Sequence, residues 1–156
     1  MKALAIDPGY DRLGVAILQK IDGAEKLIYS TCIETDKEST LPKRLEEVGR
    51  KIEELLIKEK PDILGIETLF FNKNVKTAVA VAAARGVVIY LSEKHGAKTV
   101  EVSPQQVKVA VTGYGKSDKR AVTHMVKQLI KESPQEALDD EYDAIAVGIT
   151  ALAHHK

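Results

Sequence analysis

The hydrophobic pattern of this chain changes period near residue 40, and that change limits the folds open to it. Before it come three stretches with strand character: residues 2–7 (KALAID), 13–19 and 27–35. Pro8-Gly9 ends the first as a turn, and Asp22-Gly23 separates the other two as a hairpin turn does. After it, Leu41, Leu45, Val48, Ile52, Leu55 and Leu56 recur at helical spacing. Ser39 or Thr40 is placed to cap that helix, Pro42 sits in its first turn, and Pro61 closes it. Residues 62–67 (DILGIE) are a short apolar run ending in a carboxylate, which suits a buried parallel strand. The pattern then predicts a helix rich in small residues over 74–94, a strand over 98–102, a brief helix from Ser103-Pro104 to about 111, and a helix over 118–131. Ser133-Pro134-Gln135-Glu136 has the capping-box pattern, so the last helix is expected to start between Pro134 and Asp140 and to run to about Ala153. Three antiparallel strands followed by alternating helices and strands pack as an α/β fold, a mixed five-stranded sheet flanked by helices.

The 156 residues fit one domain with a real core, and 44% hydrophobic with 29% charged residues is globular usage. A single cysteine, Cys32, excludes an intrachain disulfide and points to the cytoplasm. In its strand it is expected to be a core residue. Asp7 breaks the apolar start too early for a signal peptide, and residues 78–84, the longest apolar run, are too short to span a bilayer. No membrane partner is therefore expected. Gly115-Lys116-Ser117 invites a phosphate-loop reading, which fails: Ala110 stands where the first glycine is needed, and a helix leads in. His95, His124, His154 and His155 have no metal-ligand spacing with the cysteine.

Four carboxylates stand where packing alone does not call for them. Asp7 ends the first strand and Glu67 the fourth, while Asp140 and Asp143, three apart, share a helix face. Singly, each has an ordinary explanation as a turn residue, a polar strand end, or an acid favoured by a helix dipole. Together they form a cluster that repels itself unless protonated or bridged by a cation. Hard oxygen ligands suit Mg²⁺ or Mn²⁺. Two such ions about 4 Å apart can hold the attacking and leaving oxygens of a phosphodiester.

At these residues the chain resembles the RuvC family of Holliday junction resolvases, which have the RNase H-like fold. The resemblance is carried by Ala5-Ile6-Asp7-Pro8-Gly9 with Gly14, by residues 65–74 (GIETLFFNKN), and by Ala84-Arg85-Gly86. It continues through Gln106-Val107-Lys108, Thr112-Gly113-Tyr114-Gly115, Lys119, His124-Met125-Val126 and residues 140–146 (DEYDAIA). It implies a single RNase H-like nuclease domain over residues 1–156. It also implies a homodimer that nicks two opposing strands of a four-way DNA junction, leaving 5′-phosphate and 3′-hydroxyl ends. Asp7, Glu67, Asp140 and Asp143 are then the catalytic metal ligands, with two Mg²⁺ per site and Mn²⁺ as a substitute. Lys108 and Lys119 fall near the scissile phosphate, Phe70 falls on a base-stacking position, and the RuvA–RuvB branch-migration complex is the implied partner. Asp139 and Glu141 stand where the family usually has small residues, which leaves open whether either joins the metal's outer shell.

Phe70 and Phe71, the only phenylalanines, lead into a polar loop just after Glu67, a setting for stacking on an unpaired base. Lys73, Lys116 and Arg120 are further candidates for DNA contact. A formal net charge of zero hides two unlike regions. Residues 68–131 carry eleven basic and three acidic side chains, whereas residues 132–143 carry six acids and no base. The first region can neutralise phosphates, and part of the second is the metal-ligand set. Three other functions compete. A sugar-kinase or actin-like ATPase shares the Asp-Pro-Gly turn but needs two related domains. An RNase H-like nuclease acting on structured RNA needs the same acids. A catalytically inert junction-binding scaffold has no use for them.

Overall fold

The computed structural model describes residues 1–9, 11–69 and 75–155. Ten elements follow in chain order: β1 (Lys2–Asp7), β2 (Arg12–Ile21), β3 (Ala24–Glu34), α1 (Leu41–Glu59), β4 (Ile63–Glu67), α2 (Val75–Lys94), β5 (Lys98–Val102), α3 (Pro104–Thr112), α4 (Lys119–Leu129) and α5 (Asp139–His154). The strands form one sheet in the order β3-β2-β1-β4-β5. The β1–β2 and β2–β3 pairs are antiparallel, and β4 and β5 run parallel to β1. This is the mixed five-stranded sheet expected from the change of period.

Strand alternation divides the core into two layers. Leu4, Ile6, Leu13, Val15, Ile17, Leu64 and Ile66 face one side, where α1 and α2 supply Val48, Ile52, Leu56 and Val88. The other side is built from small residues, including Ala3, Ala5 and Ala16, and receives α5 with Val107, Val111, Val122 and Val126 of α3 and α4 behind it. A sheet face of small side chains lets a helix come close. Gly65 lies so near α5 that a Cβ there would stand 2.6 Å from the Ala151 methyl. Buried on all sides, α5 is apolar around its whole circumference from Ala144 to Leu152, apart from Gly148 and Thr150.

Two local expectations need correction. Ser133-Pro134-Gln135-Glu136 does not start a helix, because residues 131–138 form turns. Ser133 is buried, its N–H donates to the Ile130 carbonyl (3.0 Å), and the Tyr142 hydroxyl donates to the Pro134 carbonyl (2.8 Å). These bonds hold the segment as a turn. The helix begins at Asp139, inside the expected range, without a side-chain cap, and its first-turn acids Asp139, Asp140 and Glu141 complement the dipole instead. Cys32 is half-buried rather than a core residue, since β3 is an edge strand. Burial first, then the charge of Asp140, pushes its thiol up to about 11. Thr40 is the N-cap residue of α1 but makes no side-chain bond there, whereas Ser103 and Gln106 form a complete capping box on α3.

Candidate active site

The site forms where strand alternation, parallel register and a close helix coincide. Asp7 continues the Ala3–Ala5 face of β1, and Glu67 continues the Ile63–Gly65 face of β4. Ala5 lies beside Gly65 and Ile6 beside Ile66, so the two acids leave adjacent strand ends side by side, toward α5. On the other side of β1, Asp7 pairs with Gly14 of β2. The first turn of α5 crosses there. A Cβ at position 14 would fall on the Asp140 carbonyl oxygen, inside any permitted contact distance. Glycine at this position lets the acidic end of α5 reach the strand ends.

A cleft of about 230 Å³ opens at this point, lined by Asp7, Glu67, Lys108, Lys119 and Asp143, with Pro104, Val107 and Val122 as an apolar wall. Lys119 Nζ lies 2.8 Å from Asp143 Oδ2 and 3.5 Å from Asp139 Oδ2. Burial, then the charges of Asp143, Glu67 and Asp140, push the Asp7 carboxyl up to about 7, and Lys119 offsets part of this. Glu67 is raised by burial and by Asp143, against the pull of Lys108 and Lys119. Asp143 is also raised: its burial outweighs its ion pair with Lys119. For Lys119, burial works downward, but the Asp143 hydrogen bond and the surrounding carboxylates leave its pKa raised. Three crowded acids that resist ionisation together are acids whose charged forms a nearby cation would favour.

Asp140 departs from the expected arrangement. Residues three apart on a helix differ by about 60° in direction, and here that angle sends the two acids to different places. Asp143 enters the cleft; Asp140 turns to Arg12, whose Nε lies 3.2 Å from its Oδ2. That oxygen is buried and has no hydrogen bond, because the Arg12 N–H does not point at it. Among the described residues, no three histidine, cysteine or acidic side chains stand close enough as they lie to hold one ion. The donor set nonetheless fits a hard divalent cation. It is all oxygen, and its buried acids repel one another. Asp7, Glu67 and Asp143 are the residues in the cleft that would hold the ion, and Asp140 is near enough for its charge to raise the Asp7 carboxyl.

The two extra acids part company as well. Glu141 points away from the cleft to β3, where Ser30 Oγ donates to its Oε1 at 2.5 Å. It is an anchor for the first turn of α5, outside the cleft, while Asp139 borders the site through Lys119. Glu141→Ala is expected to lower stability by about 1 kcal/mol in urea unfolding and to leave Mn²⁺ affinity unchanged. A drop in Mn²⁺ affinity would reject the anchoring role.

Among the remaining predicted residues, Lys116 is exposed on the loop between α3 and α4, clear of the cleft. Arg120 lines a neighbouring hollow with His124 and Lys127 that shares Lys119 with the cleft. Phe70, Phe71 and Lys73 lie outside the described residues. Motif reading misses Arg12, although strand parity places it on the same sheet face as Gly14.

A family model described as "Crossover junction endodeoxyribonuclease RuvC" matches residues 3–151. The chain belongs to the RuvC family. A RuvC from Petrotoga mobilis is 41% identical over 154 residues, covering 99% of this chain and 93% of the relative. One from Thermosipho melanesiensis is 43% identical over 147 residues, covering 94% of each. Among solved structures, Thermus thermophilus RuvC in complex with a Holliday junction substrate superposes with a TM-score of 0.90 at 25% identity, covering 98% of this chain and 94% of that one. The yeast mitochondrial Holliday junction resolvase shares the fold at 14% identity and a TM-score of 0.66. The sheet order and flanking helices are those of the RNase H-like fold of RuvC and related resolvases. Among the described residues, no helix is long and apolar enough to cross a membrane.

Proposed function

We propose that this RuvC-family chain, a single nuclease domain over residues 1–156, resolves four-way DNA junctions in recombination and repair. The observation that carries this reading is the convergence of Asp7, Glu67 and Asp143 with Lys108 and Lys119 in one cleft. A homodimer nicks two opposing strands symmetrically, leaving ends that ligase can seal. Asp7, Glu67, Asp143 and Asp140 would hold two Mg²⁺, or Mn²⁺ in their place, which would supply activation of the attacking water and stabilisation of the leaving 3′ oxygen.

The lysines complete the site. Lys119, held by Asp143 and half exposed at the cleft, is placed to meet the scissile phosphate. Lys108 faces the same space and answers the charge that builds up on the phosphate. Phe70 stacks on an unpaired base, Phe71 and Lys73 are further DNA contacts, and Lys116 and Arg120 hold the backbone of an arm. The helix α2, with its run of small residues and exposed Val79 and Tyr90, is one candidate face for the second subunit. The protein works in the cytoplasm, together with the RuvA–RuvB machinery.

Cleavage of a synthetic mobile four-way junction with Mg²⁺, beside linear duplex and structured RNA, tests this directly. The junction is expected to be nicked in opposing strands, with the duplex and RNA left intact. Equal cutting of RNA would favour the RNA-nuclease alternative. Junction affinity is expected to fall about tenfold or more between 50 and 200 mM salt, as phosphate contacts require. A flat salt profile would reject the basic face as the binding surface.

A further inference from the structure

The acid that the family pattern requires at Asp140 is the one acid of that set missing from the cleft lining. Its charged neighbour is Arg12. Arg12 opens β2, two residues before Gly14, and strand alternation puts both on the face that meets α5. The backbone of Arg12 is closely packed: a Cβ at Gly9 would overlap its carbonyl oxygen. The preceding residue, Asp11, accepts a 3.0 Å hydrogen bond from buried Arg44. The guanidinium therefore approaches Asp140 from a packed stretch of backbone.

The contact itself is loose. Arg12 Nε is 3.2 Å from Asp140 Oδ2, yet that buried oxygen receives no hydrogen bond. About half of the Arg12 side chain is open to solvent, so water can take over its charge when it lets go. Its cross-strand neighbour Glu34 offers a second acidic partner. A poorly aligned ion pair is an easily displaced one.

We infer that Arg12 is a positioning residue that competes with the divalent cation for Asp140. In the metal-free protein it keeps the carboxylate turned out of the cleft and lowers the self-repulsion of the four acids. When the cation arrives, Asp140 exchanges the guanidinium for the metal. Arg12 thus sets the cation concentration at which the site fills, and an empty site does not carry four unscreened charges. This inference rests on the metal reading proposed above.

Mn²⁺ binding to the DNA-free protein, followed by electron paramagnetic resonance of the free ion, tests it without any activity readout. Arg12→Ala and Arg12→Gln are expected to bind Mn²⁺ about three- to tenfold more tightly than the parent, and Arg12→Lys to fall between them. In an Asp140→Asn background the gain from Arg12→Ala is expected to disappear. Unchanged or weaker binding by both Arg12→Ala and Arg12→Gln would overturn the competition. So would a gain that persists in full without Asp140, since that would be a general charge effect. A parent protein that binds no Mn²⁺ would overturn the metal reading together with this inference. A parent that binds, with affinity indifferent to Arg12, would overturn this inference alone.

Discussion

Asp7→Asn is expected to lower the rate of junction nicking by roughly 10³-fold or more while leaving junction affinity within about twofold. The carboxylate sits at the centre of the cleft, between Glu67 on one neighbouring strand and the first turn of α5 on the other side. Asparagine keeps the shape and removes the charge that a cation needs. The same change is expected to stabilise the metal-free fold. The Asp7 pKa rises from an ordinary 3.8 to about 7 in the folded chain, through burial first and neighbouring acids second. Between those values the folded chain keeps a proton that the unfolded chain has released. Stability therefore falls as pH rises from about 4 to about 7, and the loss is complete above that. In EDTA at pH 8 the asparagine variant is expected to melt several degrees above the parent, a difference on the order of a few kcal/mol. The gap should shrink toward pH 4. The same proton makes cation affinity rise with pH until about 7 and level off beyond it. Parent-like nicking by Asp7→Asn would refute the metal assignment; a parent that melts higher than the variant at pH 8 would refute the electrostatic account.

That opposition of activity and stability is partly legible in the amino-acid sequence. Asp7 and Glu67 are readable because each ends an apolar strand, where a charge has no packing reason to be. The sheet is readable because strand and helix periods do not overlap in this chain. Less legible is anything that depends on angle. The spacing of Asp140 and Asp143 fixes their proximity along α5, but it leaves about 60° between their directions, and that angle sends one of them to Arg12. The role of Glu141 is hidden for the same reason: its partner Ser30 is 111 residues away in sequence and reaches it only through the β2–β3 pairing. The Ser133 capping pattern misleads because a serine and a glutamate three apart suit a turn as well as a helix start, and the Tyr142 bond to Pro134 selects the turn. Arg12 carries a usable signal in its parity with Gly14, which motif reading ignores.

Gly14→Ala is expected to be among the most damaging single-methyl additions in the molecule, costing about 3 kcal/mol or more in urea unfolding. The added methyl would occupy the position of the Asp140 carbonyl oxygen and press on Ala144 Cβ at 3.3 Å. Backbone cannot rotate away as a long side chain can. Nor can the helix simply lift, because two other glycines fix its height over the sheet. Gly65 lies under Ala151, and Gly148 rests against Leu18 and Ala5, with no room for a Cβ at either. With its later turns held there, α5 can relieve the clash only by tilting its first turn off the strand ends. That turn carries Asp140 and Asp143. Any folded fraction of Gly14→Ala is therefore expected to bind Mn²⁺ at least tenfold more weakly, although no acid has been changed. The distance between β2 and α5 would then be a determinant of cation binding in its own right. A Gly14→Ala protein with parent stability and parent Mn²⁺ affinity would show that the first turn of α5 has freedom the packed glycines do not allow.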